Sequence, residues 1–112
     1  MESVSLNMAT AQEKVEIAKA LTSLRSSRAY TKVVENGYFR DFAADCARKL
    51  RNPKFSAEDQ ATAQMHLEGI SAFQQFLDKL VAEGEVAAAE LIELTELQNS
   101  IDNGTVTLEE VE

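Results

Sequence analysis

One proline stands in this chain of 112 residues, at Asn52-Pro53, close to the middle. The residue before a proline is pushed out of the helical region, so this dipeptide predicts one compulsory break. Elsewhere little opposes helix: there are four glycines, and Ala, Leu, Glu and Gln, all strong helix formers, are abundant. The length suits a single domain, and the ordinary apolar share argues against global disorder. Together these features predict an all-α fold, a compact bundle of four to five helices with a short acidic C-terminal tail.

The spacing of apolar residues divides the chain further. The first few residues are polar, and residues 1–9 read as a flexible N-terminus. Thr10-Ala-Gln-Glu13 fits a capping box opening the first helix. Ile17, Leu21, Leu24 and Arg28 then fall at steps of four, three and four on one face. Ser26 and Ser27 allow a break or a new cap. Asn36-Gly37 is the preferred next stop, although the helix can also run through Gly37 at a cost of about 1 kcal/mol relative to alanine. After it, Tyr38 to Arg51 reads as a helix burying Phe39, Phe42 or Ala43, Cys46 and Leu50. Ser56 caps the longest element, with Glu58 and Asp59 in its positive first turn. There His66, Ile70, Phe73, Leu77 and Leu80 keep heptad spacing, and Met65, Gly69, Ala72 and Phe76 form a second apolar strip. So wide an apolar arc predicts a central position touching more than one neighbour. Gly84 reads as the stop. A last helix from Glu85 to about Ser100 turns Ala87, Leu91, Leu94 and Ile101 inward and Glu90, Glu93 and Glu96 outward. Asn103-Gly104 ends a single helical domain of residues 10–103, and residues 104–112 form the acidic tail.

Charge is distributed unevenly. Residues 1–56 hold ten Lys/Arg against six Asp/Glu, and residues 57–112 hold one, Lys79, against thirteen, so nets of +4 and −12 make up the total of −8. Such a field speaks to partners and association rates rather than to fold.

Catalytic chemistry finds little support. Cys46 and His66 are the one cysteine and the one histidine, a conceivable nucleophile pair that reads better as two buried helix residues. Glu90, Glu93 and Glu96 lack the Glu-x-x-His partners of a di-metal bundle. Residues 99–110 match an EF-hand loop at Gly104, Val106 and Glu110, but Asn99 at position one lacks the anionic oxygen and Ile101 at position three lacks a coordinating one. No phosphate loop, dinucleotide fingerprint or nucleophile elbow occurs. The expectation is a protein that is not an enzyme and that takes no cofactor or metal. A lone cysteine favours a reducing compartment. No apolar run approaches the roughly 20 residues that span a bilayer, and the amino terminus lacks a signal peptide's pattern, so an intracellular location without membrane attachment is expected.

Interaction is the better reading. A basic edge of Arg25, Arg28 and Lys32, an acidic edge of Glu90, Glu93 and Glu96, and apolar contacts through Tyr30, Tyr38, Phe55 and Leu108, all near element boundaries, are the candidate site. More basic residues, Arg48, Lys49, Arg51 and Lys54, cluster around the Pro53 turn. Interleaved acids and the net negative charge weigh against direct nucleic-acid binding. Opposed ends suit head-to-tail or heterologous contacts in an oligomer. The alternative is an acidic, nucleic-acid-mimicking inhibitor of a host DNA- or RNA-processing enzyme.

Two stretches carry a likeness: Tyr30-Thr-Lys-Val-Val-Glu-Asn-Gly-Tyr-Phe39, and His66-Leu-Glu-Gly-Ile-Ser-Ala-Phe-Gln-Gln-Phe-Leu77. Over roughly residues 30–80 the chain resembles small helical proteins encoded among the structural and accessory genes of tailed bacteriophages. The resemblance implies a virion component or assembly factor, made in the host cytoplasm and partnered by subunits of a larger particle. It brings no catalytic residues.

Overall fold

The computed structural model describes residues 2–102, with side chains from residue 4 onward. All regular structure among these residues is helical. Helix α1 is Glu2–Arg25. Helix α2 covers residues 28–51 without interruption, α-helical over Arg28–Tyr30, π-helical over Thr31–Phe42 and α-helical again over Ala43–Arg51. Helix α3, Ala57–Asp102, is 46 residues long. The all-α expectation is met. The four to five helices are not, because the chain passes straight through two of its expected stops.

The breaks that do form have clear local causes. At the end of α1, Ser26 N–H donates to Thr22 O and Ser23 O, both at 3.2 Å, and its hydroxyl donates to Thr22 O at 2.9 Å. Ser27 leaves the helix with φ −78° and ψ 144°, and its Oγ accepts from Tyr30 N–H at 3.0 Å, capping α2. At the end of α2, Asn52 is extended at φ −99° and ψ 111°, as Pro53 requires. Its Oδ1 then accepts from Lys54 N–H at 3.0 Å, and Ser56 Oγ accepts from Asp59 N–H at 3.0 Å to open α3.

Three expectations are corrected. Thr10 does not start a helix; it lies inside α1, donating from Oγ1 to Leu6 O at 3.1 Å, and residues 2–9 are helical with it. Asn36-Gly37 does not stop α2. Instead the chain widens there into π turns, which bond i to i+5. Gly37 stands five residues after Lys32, and a Cβ on it would sit 3.2 Å from the Lys32 carbonyl oxygen, so glycine eases the wide turn. Gly84 is likewise no stop but a buried helical position. The Asn103-Gly104 stop, the tail of residues 104–112 and Leu108 lie outside the described residues.

The chain divides into two units, residues 1–20 with 80–112, and residues 21–79. In the first, Val4, Ala11, Gly84 and Ala87 are buried, with Met8, Val15, Ala18, Leu91, Leu94 and Ile101 half-buried. The fully buried positions of this seam are small residues and one valine, with the larger side chains half-buried at its margins. A Cβ on Gly84 would overlap the Cβ of Ala18, so the missing side chain is what lets α1 and α3 approach.

The second unit buries Leu21, Tyr30, Cys46, Ala63, Ile70 and Leu77. Burying each of the two large aliphatics on α3 is worth about 1.5–3 kcal/mol. Tyr38 and Phe39 of the π-helical segment meet Phe73 of α3 at ring separations of 6.2 and 5.7 Å, and Phe42 meets His66 edge-on at 5.3 Å. Tyr38 also stacks on Phe42 at 6.1 Å. Such pairs add roughly 0.5–1.5 kcal/mol each beyond their buried area. Those that reach α3 hold α2 to it directly after Gly37, and their sum exceeds the helical cost of one glycine.

Candidate functional site

The turn at Pro53 and the start of α3 build a cleft within residues 21–79. Its walls are Phe42, Cys46, Lys49, Phe55, Asp59, Thr62, Ala63 and His66, enclosing about 240 Å³. Gln60 holds the walls together: its Nε2 donates to Lys49 O at 3.3 Å and to Asn52 O at 3.0 Å, tying α3 to the end of α2. Phe55 N–H donates to Asn52 O at 3.2 Å, which fixes the aromatic rim. Cys46 and His66 thus share one cleft, as a pairing would need. However, the cysteine is buried, the imidazole is exposed, and the ring contact of His66 is with Phe42.

The cleft has a basic side. From Cys46 to Phe55 the sequence carries Arg48, Lys49, Arg51 and Lys54 and no acid. Arg48 and Lys49 lean back on Asp45 at 3.3 and 3.7 Å, exposed pairs of small energetic weight. Arg51 and Lys54 are exposed. Asp59 is the one carboxylate among the lining residues.

A second surface feature runs along α3 in the same unit. Met65 is 61% exposed and Phe76 52%, with Phe73 at the strip's edge. Gly69 and Ala72 lie between them, and nothing comes within 4 Å of where a Gly69 Cβ would be. The steps from 65 to 69 to 72 to 76 place all four on one helical face. This strip was expected inside; it faces outward, and His66 and Phe73 of the heptad row are exposed with it. The buried seam of α3 keeps Ile70 and Leu77 of that row and adds Ala63 and the half-buried Leu67. Small and aliphatic residues are the buried ones; Phe73 and His66 touch the rings of α2 from exposed positions, and Met65 and Phe76 face outward.

The predicted site residues fall in several places. The break at Ser26 separates Arg25, at the end of α1, from Arg28 and Lys32 on α2, so the three do not share one helix face. Arg28 and Lys32 are exposed, whereas Arg25 is half-buried with its Nε buried and unbonded. Glu90, Glu93 and Glu96 are exposed on α3. Around them Val86 and Ile92 are also exposed, at 68% and 63%. Tyr30 is a core residue, 6% exposed with an unbonded buried hydroxyl, and so leaves the set of contact candidates. Tyr38 belongs to the aromatic cluster, and Phe55 lines the cleft. The cleft was not foreseen, although the basic cluster around Pro53 marked its rim.

Among the described residues, no group of three or more His, Cys, Asp or Glu is placed to hold a metal ion. No helix there is long and apolar enough to cross a membrane. Compared with known proteins, the chain matches no family model, no curated protein and no solved structure.

Proposed function

We propose that this chain is a non-enzymatic protein–protein interaction module, acting as a virion component or assembly factor of a bacteriophage. The observation that carries the reading is the outward apolar strip Met65, Gly69, Ala72 and Phe76, continued by Phe73. Contiguous exposed apolar surface on a small helical protein marks a contact with another macromolecule. The central Gly–Ala notch admits the backbone of an opposing helix, and the flanking large side chains grip it. The two stretches that resemble phage structural and accessory proteins are also the two that meet through Tyr38, Phe39 and Phe73. The resemblance therefore falls on one packed unit rather than on scattered segments.

Composition analysis of purified particles from a phage encoding this chain tests the reading. Incorporation at a fixed copy number, lost when Met65 and Phe76 are both changed to Ser, is the expected result. Absence from finished particles and from every assembly intermediate contradicts it. The acidic-mimic reading draws on the exposed Glu90, Glu93 and Glu96, and it predicts competition with DNA for a basic enzyme instead.

A further inference from the structure

We propose that the basic cleft of residues 21–79 receives the acidic, apolar helix face around Ile92 of a second copy of this chain. This rests on the assembly reading above and names the partner for one of its surfaces.

The two surfaces are complementary in charge. The unit of residues 21–79 carries nine Lys/Arg against seven Asp/Glu, a net of +2, while residues 1–20 with 80–112 carry two against twelve, a net of −10. The division into units thus separates a slightly basic body from a strongly acidic one. In the basic unit Lys49 lines the cleft, with Asp59 also among its walls, and Arg51 and Lys54 flank it in sequence around the Pro53 turn, both exposed. In the acidic unit Ile92 is exposed, with Glu93 beside it and Glu96 one turn on.

The shapes fit the same pairing. A cleft of about 240 Å³ falls below the roughly 300–1,000 Å³ of small-molecule sites, and its Phe42, Cys46, Phe55 and Ala63 walls suit one branched aliphatic side chain. Ile92 supplies that side chain, and the carboxylates of Glu93 and Glu96 then face the basic rim. Cleft and knob are different surfaces of one chain, so two copies can exchange them in a closed pair or pass them on from copy to copy in a ring or filament. The rim charges of the contact make association fast at low salt and weaken it as salt rises.

Charge reversal on each side, followed by mixing, tests the pairing in the full chain by sedimentation velocity. Lys49→Glu with Arg51→Glu and Lys54→Glu is expected to weaken self-association at least tenfold at low salt. Glu93→Lys with Glu96→Lys is expected to do the same, with circular dichroism unchanged for both because every altered position but Lys49 is exposed. Mixing the two variants in equal amounts restores association, since each reversed face meets its reversed counterpart. Variants that associate like the parent, or a mixture that stays monomeric, overturn the proposal. So does loss of association on deleting residues 104–112 while the Glu93→Lys/Glu96→Lys variant still associates, because the tail is then the occupant. A parent chain that is monomeric yet present at fixed copy number in particles overturns self-docking alone and leaves the assembly reading intact.

Discussion

The two units hold their helices together by opposite means. Residues 1–20 and 80–102 pack through what is missing: Gly84 has no side chain where Ala18 arrives, and Ala11 and Ala87 are among the most buried positions. Residues 21–79 pack through what is present, the aliphatics Leu21, Ile70 and Leu77 and a set of rings reaching from a π-helical segment to α3. A seam of small residues is intolerant of added volume. A core of large ones is intolerant of its loss. The difference extends to the surface, where the first unit is strongly acidic and the second carries the basic cleft and the bare apolar strip.

Substitutions can break or sharpen this contrast. The largest effect is expected from Leu77→Ala, which removes a buried side chain from the large-residue core and should cost about 2–5 kcal/mol in denaturant unfolding. A loss under about 1 kcal/mol would mean that the aromatic contacts alone hold residues 21–79. Next comes Gly84→Val. Replacing a mid-helix glycine ordinarily gains stability, yet here overpacking against Ala18 should give a net loss of about 1–3 kcal/mol. Hydrogen exchange should place that loss in residues 4–20 and 80–101, sparing the amides near Phe73. The smallest effect belongs to Gly69→Ala. Nothing lies within 4 Å of the added methyl, so helix propensity acts unopposed and stability should rise by up to about 1 kcal/mol. Two glycines of one helix thus respond with opposite signs, and equal responses would erase the contrast between the units.

How much of this was legible in the sequence follows from the same distinction. The breaks at Ser26–Ser27 and Asn52-Pro53 could be read directly, because each has a local cause in a hydroxyl cap or a proline ring. The outward placement of Glu90, Glu93 and Glu96 was legible too, from charge and spacing. Gly37 and Gly84 were misread as stops because a glycine's cost is local, whereas what outweighs it is tertiary: ring contacts directly after one, close helix approach at the other. The inward faces of α1 and α3 were shifted for a related reason. Apolar size pointed to Ile17, Leu24, His66 and Phe73, all of which are exposed, while Ala11 and Ala63 took the core. Small residues carry a weak hydropathy signal and a strong packing role. The cleft depended on a fold-back at Pro53 that periodicity does not encode, although four basic residues around that turn marked the spot.

The central claim, that opposite units of separate copies dock on each other, is tested most directly by light scattering coupled to size-exclusion chromatography on the unaltered chain at low and at high salt. A discrete or growing oligomer at low salt that falls to the monomer mass at high salt is the predicted result. A monomer under both conditions contradicts it, and an oligomer indifferent to salt assigns the contact to the Met65–Phe76 strip rather than to the charged faces.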